Sequence, residues 1–328
     1  MTGAARTLRY VLRRLAQAVP IVLGIVILNF LMLQLAPGDA AEVLAGEAGA
    51  ATPEYMAQLR QRFGLDRPVW LQLVFYVKNI LTLDLGFSFR HNMPVLDLIL
   101  NRLGPTLLLM GTTLVLAVGV GMLLGLIAAT GVNSWRDNAI SVLAVVSYAT
   151  PLFWAGLMLI VVFSLNLRWF PVTGMEDVVA FHAGLARALD IAHHLVLPAL
   201  TLSLFYLALY TRLMRAAMLE QAGMDYVTTA RAKGLGERRI TLRHVLRNAV
   251  LPVVTMAGIQ VGGMLGGAVV VESVFAWPGM GLLAFQSLFA RDYNLLLGIF
   301  FFSACLVVIV NLLVDLIYIV LDPRIQVR

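Results

Sequence analysis

The sequence predicts an all-α integral membrane protein with six transmembrane helices. Of its 328 residues, 60% are hydrophobic and only 13% are charged, whereas a soluble protein carries roughly a quarter charged residues. Six charge-free windows are long enough to cross the hydrocarbon core, which takes about 20 helical residues. The predicted spans, built around these windows, are residues 11–36, 103–131, 138–166, 193–213, 248–272 and 293–320.

A seventh charge-free window, residues 273–290, is not predicted to span the membrane. Trp277-Pro278-Gly279 lies near its start, and proline followed by glycine interrupts a helix. We expect a re-entrant or surface-lying hairpin there.

Basic residues predict the orientation of the spans. The loop between the fourth and fifth spans, residues 212–247, is rich in arginine, and further arginines lie at both chain ends, such as Arg13 and Arg324. Cytoplasmic loops carry an excess of Lys and Arg. Both termini and the 212–247 loop are therefore predicted to be cytoplasmic. The basic balance follows from topology, so nucleic acid is not an expected partner, and lipid is.

The first predicted external segment, residues 38–102, contains helix signals. Thr52 precedes Pro53, a favoured pair at a helix start, and Gly64 ends the pattern. A second amphipathic helix is expected after Pro68, with apolar residues such as Trp70 along one side. These helices either cover the spans or form a docking platform for an external partner.

Small residues recur at helical spacing in two of the spans. Such spacing lets helix backbones touch in lipid and marks a helix–helix interface. The residues are Gly121 and Gly125 in the second span, and Gly258, Gly262, Gly263, Gly266 and Gly267 in the fifth.

The sequence lacks the motifs of an ATP-hydrolysing or metal-dependent enzyme. A phosphate-binding loop needs Gly-Lys followed by Ser or Thr, but Lys78 and Lys233 precede Asn79 and Gly234. We therefore expect any ATP hydrolysis to reside in another polypeptide. No spacing of histidines or carboxylates predicts a metal, catalytic or cofactor site in this chain.

Ionisable residues within the spans are the usual sign of an ion-driven carrier. Here only Glu272 and Asp315 qualify, and both lie near predicted span ends. Their simplest interpretation is a satisfied polar contact. Solute movement by the purified chain under an ion gradient would favour a carrier, and absence of a co-purifying ATPase would favour a membrane enzyme or assembly factor.

The 212–247 loop carries the most specific pattern. Residues 226–233 contain no helix breaker, and Gly234 and Gly236 then end or turn the helix. A short helix that exposes Arg231 and Lys233 between two spans is either a solvated topological anchor or a docking helix for a cytosolic motor.

This loop resembles the motor-docking segment of ATP-binding-cassette importer permeases of the dipeptide, oligopeptide and nickel branch. Residues 229–235 read Thr-Ala-Arg-Ala-Lys-Gly-Leu, and residues 244–252 read His-Val-Leu-Arg-Asn-Ala-Val-Leu-Pro. Thr228 stands where the general permease pattern has Glu, and Arg247 where it has Pro. Both departures are typical of this branch.

Other motifs extend the resemblance over the whole chain. In order, they are Leu12-Arg13-Arg14-Leu15, Pro37-Gly38-Asp39, Phe63-Gly64-Leu65-Asp66 with Pro68, Asp84-Leu85-Gly86, Pro151 with Phe153-Trp154, residues 272–279 (Glu-Ser-Val-Phe-Ala-Trp-Pro-Gly), Arg291-Asp292-Tyr293, residues 311–315 (Asn-Leu-Leu-Val-Asp) and Asp322-Pro323-Arg324-Ile325.

The resemblance implies the type I ABC importer permease fold in a bacterial inner membrane. It implies a second, homologous permease subunit, two cytosolic ATPase subunits that bind ATP and magnesium, and an extracytoplasmic solute-binding protein. The expected cargo is a di- or oligopeptide, with a nickel complex as the alternative and an ion-coupled transporter as a weaker one.

The resemblance also implies roles for individual residues. The cargo path is expected between the two permeases, and in the fifth span we expect Gln260, Gly263 and Ser273 to line it. The residues expected to contact the ATPase are Tyr226, Ala230, Arg231, Ala232, Lys233, Gly234 and Leu235.

Overall fold

The computed structural model describes residues 3–35, 52, 57, 61, 66–88 and 90–321, so the helix expected after Thr52 and the tail from Asp322 lie outside the described residues. The elements, in chain order, are α1 (Gly3–Leu35), α2 (Val69–Leu81), β1 (Phe87–Ser88), β2 (Met93–Pro94), α3 (Val95–Thr130), α4 (Trp135–Ala149), α5 (Leu152–Leu159, continued by a π-helical turn, Ile160–Asn166), α6 (Gly184–Ala222), α7 (Asp225–Ala232), α8 (Glu237–Ile240, continued by a π-helical turn, Thr241–Val245), α9 (Leu246–Val274), α10 (Met280–Phe289) and α11 (Tyr293–Leu321).

The chain divides into two compact units, and the boundaries fall within α3 and α10: one unit comprises residues 1–103 and 283–328, and the other comprises residues 104–282. In the first unit, α1 packs against α11 and α2, and Val26 and Phe301 are buried together with Ile80 of α2. The helix predicted after Pro68 is confirmed as α2, which leaves Trp70 largely exposed.

Two polar contacts fasten the first unit. The buried amide of Asn29 on α1 donates to the carbonyl of Leu297 on α11 at 3.4 Å. The β1–β2 hairpin is antiparallel, and the Ser88 hydroxyl at its end donates to the Asp292 carboxylate at 2.5 Å. A polar side chain buried among apolar helices requires such a partner, because an unpaired one is costly.

Helix α6 is the centre of the second unit. It packs against α4, α5 and α9, and Leu202, Tyr210 and Met214 are completely buried along its length. At 39 residues, α6 is about 58 Å long, which is nearly twice the thickness of the hydrocarbon core. It therefore continues well beyond the predicted span, residues 193–213.

Glycines bring α3 into direct contact with α6. A Cβ atom added to Gly121 would lie 2.7 Å from the Tyr210 Cβ, and one added to Gly125 would lie 2.6 Å from the Met214 Cβ. The interface predicted from the spacing of these glycines is confirmed. In the fifth span, Gly267 also approaches α6, because an added Cβ would lie 3.0 Å from Leu202 Cδ1.

The third predicted span, residues 138–166, is not one straight helix. It consists of α4 and α5 with its π-helical turn, and the two parts meet at an angle of 107°. Pro151 disfavours a helical conformation at the preceding residue, and Thr150 is accordingly extended (φ −77°, ψ 126°). The charge-free window obscured this break, because apolarity alone does not report helix direction.

The predicted loop over residues 212–247 is shorter in the structure. Helix α6 ends at Ala222, and a continuous helical run begins at Glu237 and includes α8 and α9. Only residues 223–236 connect the two long helical runs, and α7 occupies most of this connection. The short helix predicted over residues 226–233 is confirmed with a shift of one residue.

The predicted break at Trp277-Pro278-Gly279 is also confirmed, since α9 ends at Val274 and α10 begins at Met280. The buried indole of Trp277 donates to the Pro105 carbonyl at 2.9 Å. The buried Glu272 carboxylate accepts hydrogen bonds from the Thr106 hydroxyl at 2.8 Å and the Leu282 amide at 2.9 Å. Glu272 therefore makes a satisfied polar contact near a helix end, as expected.

By length and apolarity, five described helical runs could each cross a membrane, and the bent α4–α5 pair is the sixth candidate. The all-α membrane fold with six candidate spans therefore agrees with the sequence prediction. The sidedness of the two termini stays a prediction.

The α3–α6 contact generates a stability prediction. We expect Gly125→Ala to destabilise the chain by about 1–3 kcal/mol, because the added methyl group overpacks the contact with Met214. Gly119→Ala is the matched control, since no heavy atom lies within 4 Å of the added Cβ and alanine favours a helix by up to about 1 kcal/mol. Denaturant-induced unfolding of the purified chain measures both, and equal stability of the two variants would contradict the predicted contact.

Candidate functional site

The inner face of α7 packs against the rest of the 104–282 unit. Val227 is completely buried and Ala230 is 6% exposed, and both belong to the main apolar cluster of this unit. The Tyr226 hydroxyl donates to the Gln221 side-chain oxygen on α6 at 3.0 Å. An eight-residue helix is marginal in isolation, so these contacts are what hold α7 in place.

The end of α7 is fixed by a glycine turn. Gly234 has φ +76°, a conformation that favours glycine. Its amide donates to the Arg231 carbonyl at 2.9 Å, and the Leu235 amide donates to the Ala230 carbonyl at 3.3 Å. These two bonds form a Schellman motif. Half-buried Leu235 packs against the same apolar cluster as Ala230, which completes the helix stop.

The outer face of α7 is polar and open to solvent. Arg231, Ala232, Lys233 and Gly234 are all exposed. The Arg231 guanidinium donates to both carboxylate oxygens of Glu237, at 2.7 Å and 3.2 Å. These hydrogen bonds raise the pKa of Arg231 above its usual range. The pair leaves Lys233 as an exposed positive charge on this face.

The structure separates the seven residues expected to contact an ATPase into two groups. Arg231, Ala232, Lys233 and Gly234 lie on the open face. Ala230 is 6% exposed and packs within the apolar cluster, and its contact with an ATPase stays a prediction. Tyr226 and Leu235 are half-buried, and their contacts hold α7 to its own chain. The sequence motif alone does not distinguish residues that hold the helix in place from residues that face outward.

An ion pair between α4 and α6 was not predicted from the sequence. Asp137 at the start of α4 is 2% exposed, and its carboxylate accepts from Arg215 of α6 at 2.7 Å and 2.8 Å. The carboxylate also accepts from the Asn133 amide at 2.9 Å. The pair therefore ties α4 to the part of α6 that leads into α7. The two residues are 78 positions apart, and no local pattern connects them.

The three residues expected to line a cargo path lie on α9 but differ in environment. Gly263 is exposed. Gln260, one helical turn earlier, is half-buried, and its side-chain oxygen would lie 3.9 Å from a Cβ atom added to Gly263. Ser273 is half-buried, and its hydroxyl donates to the Val269 carbonyl of the same helix at 2.7 Å. Within the described residues, no group of three or more His, Cys, Asp or Glu side chains could hold a metal ion.

The glycine turn gives a local prediction. We expect Gly234→Ala to loosen the end of α7, because an alanine at this positive φ costs about 1 kcal/mol. The amides of residues 234 and 235 should then exchange hydrogen about fivefold faster. Gly236→Ala is the control, since Gly236 has φ −65°. Unchanged exchange in Gly234→Ala, measured by mass spectrometry, would contradict the role of the turn.

Comparisons with known proteins agree with this architecture. The sequence model of the family described as the binding-protein-dependent transport system inner membrane component matches residues 121–327, and the model of its N-terminal region matches residues 7–110. Among solved structures, this chain resembles a chain of the MetNI methionine ABC transporter in an inward-facing conformation, with a TM-score of 0.53 and 17% sequence identity. The match covers 69% of this chain and 96% of that chain. This likeness shows the fold alone.

Several relatives match over nearly their whole length. The chain is 43% identical to a putative peptide permease protein of Brucella ovis, covering 98% of this chain and 99% of the relative. It is 40% identical to an oligopeptide transport system permease protein of Bacillus subtilis and 38% identical to a dipeptide transport system permease protein of Escherichia coli K12, in each case covering 97% of this chain and 99% of the relative. With six candidate spans and these relatives, the chain belongs to the binding-protein-dependent transport system inner membrane components, as a multi-pass ABC importer permease.

Proposed function

We propose that this permease forms, with a second homologous permease, the path for di- or oligopeptides delivered by an external solute-binding protein. Two separate ATPase subunits bind and hydrolyse ATP, and one of them docks on the outer face of α7. The observation that carries the docking proposal is a short helix with a buried inner face and an open, charged outer face, fixed between two long helical runs.

The charges of α7 support a protein partner of opposite sign. Arg231 is paired with Glu237. Lys233 at the end of α7 is therefore the basic charge that this face offers, and α7 also exposes the carboxylate of Asp225 at its start. A complementary acidic group on the ATPase would orient the two proteins and favour docking. Force on this face reaches the buried helices because Val227 and Ala230 belong to the core of the unit.

An exposed stripe on α9 supports a second permease subunit. Ile259, Gly263, Gly266 and Val270 recur at helical spacing and all are exposed. Small residues allow a neighbouring helix to approach closely in lipid. The cargo path of this proposal lies along this stripe, where Gly263 and Gln260 are available.

The names of the relatives support peptides as the cargo. The three relatives described above are named as a peptide, an oligopeptide and a dipeptide permease. An ion-driven carrier lacks comparable support, because the buried Glu272 carboxylate is already hydrogen-bonded within its own unit.

A charge substitution at the turn tests docking. We expect Gly234→Asp to reduce peptide uptake by about tenfold, because a new negative charge beside Lys233 opposes an acidic partner at a cost of about 1.4 kcal/mol. Gly234→Asn is the matched control, since it has nearly the same shape without the charge and is tolerated at this position of a helix end. Uptake by reconstituted transporter, together with the amount of co-purified ATPase, measures both variants.

Equal uptake by Gly234→Asp and the original protein would contradict ATPase docking at this face. Equal loss in Gly234→Asn and Gly234→Asp would contradict the charge argument and leave bulk as the cause.

A separate experiment tests the cargo. In a strain that lacks this gene, we expect loss of radiolabelled dipeptide or oligopeptide uptake and retention of nickel uptake, because the peptide permeases are the relatives that this chain resembles. Restoration by the intact gene is the control. Loss of nickel uptake with normal peptide uptake would overturn the peptide assignment and favour nickel complexes.

A further inference from the structure

Helix α4 is attached to α6 at two points. At its start, the buried Asp137 carboxylate accepts two hydrogen bonds from the Arg215 guanidinium, at 2.7 Å and 2.8 Å. Near its end, the Tyr148 ring stacks on Phe205 of α6 with ring centroids 5.2 Å apart, and the Arg212 guanidinium lies 5.0 Å from the centroid of the Tyr148 ring. The two points are separated by about 16 Å along α4 at the rise of an α-helix. One attachment would let α4 pivot, whereas two fix its direction relative to α6.

The polar attachment lies where three helices meet. The Asp137 carboxylate also accepts from the Asn133 amide at 2.9 Å, in the turn between α3 and α4. Gly125 of α3 lies so close to α6 that an added Cβ atom would be 3.0 Å from the Arg215 amide nitrogen. We refer to the Asp137–Arg215 pair as the α4–α6 joint.

The bend after α4 is restrained. Thr150 donates to the Val146 carbonyl through its amide at 3.0 Å and through its hydroxyl at 2.7 Å. The ring of Pro151 fixes its own φ. A movement of α4 would therefore carry α5 with it.

Helix α5 in turn contacts the end of α9. Gly156 of α5 is buried, and an added Cβ atom would lie 3.2 Å from the Phe275 ring and 3.3 Å from side-chain atoms of Val274 and Thr201. Closely packed interiors transmit displacement, because they contain few voids that could absorb it. A change in the position of α4 would therefore reach α9, the helix that carries the candidate cargo path.

Stability alone does not account for the α4–α6 joint. Burial of a charged pair has a desolvation cost, and apolar residues of similar volume often give equal or greater stability. An arginine that makes two parallel bonds to a carboxylate fixes orientation as well as distance. The joint is therefore suited to holding the direction of α4 while α6 moves.

We propose that Asp137 and Arg215 are positioning residues for transport. A shift of the α6 end, produced when an ATPase acts on α7, moves α4 through this joint and then moves α5 against the end of α9. The two-bond geometry of the joint, and not its charge alone, transmits the direction of the movement. This inference rests on the proposed function of α7 as the ATPase-docking helix.

Two variants loosen the joint in different ways. Asp137→Asn combined with Arg215→Gln removes both charges and keeps an oxygen that can accept from the Asn133 amide. Arg215→Lys keeps the charge, but an ammonium group cannot make the parallel two-bond contact. In the purified chain, we expect the amides of residues 133–139 to exchange hydrogen about tenfold faster in the double variant, the factor that corresponds to about 1.4 kcal/mol for a lost charge-assisted hydrogen bond. Arg215→Lys should show a smaller increase.

The complete transporter then measures coupling. The permease pair, the ATPases and the solute-binding protein are reconstituted in liposomes, and the uptake of a radiolabelled mixture of di- and oligopeptides is divided by the ATP hydrolysed. We expect this ratio to fall about threefold in the double variant, and to fall in Arg215→Lys as well. A merely structural role would lower the amount of folded protein, which reduces uptake and hydrolysis together and leaves the ratio unchanged.

Another arginine–carboxylate pair of α6 supplies the matched control. Arg187, near the start of α6, donates to Glu176 at 2.5 Å and 3.1 Å. Glu176 lies in the segment that precedes α6 and belongs to no helix. Glu176→Gln combined with Arg187→Gln, and Arg187→Lys alone, should leave both the exchange of residues 133–139 and the ratio unchanged.

Four outcomes would overturn the inference. Unchanged exchange in the double variant would show that the pair does not hold α4. Faster exchange with an unchanged ratio would show that the direct packing of α6 on α9 carries the movement. An equal ratio in Arg215→Lys and the original protein would show that charge alone suffices. An equal fall with the control pair would show that the effect is not specific to the joint.

The proposed function is judged separately, on the original transporter alone. It fails if ATP does not drive peptide uptake by that transporter, whatever the variants do in hydrogen exchange. If the original transporter couples ATP to uptake and the joint variants couple equally well, only the present inference fails.

Discussion

The close packing of α3 on α6 is the contact on which the rest of the 104–282 unit depends. Helices in lipid gain little from the hydrophobic effect when they associate, so van der Waals contact between closely spaced backbones matters more. Gly121 and Gly125 allow that approach, because a side chain there would overlap Tyr210 and Met214 of α6. With α6 fixed in this way, α4, α5 and α9 pack around it.

Helix α6 also explains how a site beyond the predicted membrane span can be coupled to the membrane interior. One continuous helix carries both the buried core residues, such as Leu202, and Arg215, which pairs with Asp137. The Asp137 carboxylate is buried, and its two parallel hydrogen bonds to Arg215 fix orientation as well as distance. Movement of the α6 end would therefore also move the start of α4, whose far end adjoins the bend at Pro151.

Hydropathy predicted the helices, and glycine spacing predicted that α3 forms a helix–helix interface, because both depend on local sequence. The choice of α6 as the partner came only from the structure. The 107° bend was harder to predict, since Pro151 lies in a charge-free window and only the structure reports the direction of α5. The orientation of α7 was predicted in part. The turn at Gly234 follows from the sequence, whereas burial of Ala230 depends on packing against distant parts of the chain. The Asp137–Arg215 pair depends wholly on tertiary structure.

The connection between α6 and α7 determines what kind of mechanical element α7 can be. The Met224 amide donates to the Gln221 carbonyl, and the Val227 amide donates to the Met224 carbonyl. Tyr226 adds a side-chain bond to Gln221, so backbone and side-chain contacts together restrain this two-residue joint. A free hinge would have few such contacts. Helix α7 is therefore best described as a rigid extension of α6, and a force on its outer face would displace both helices together.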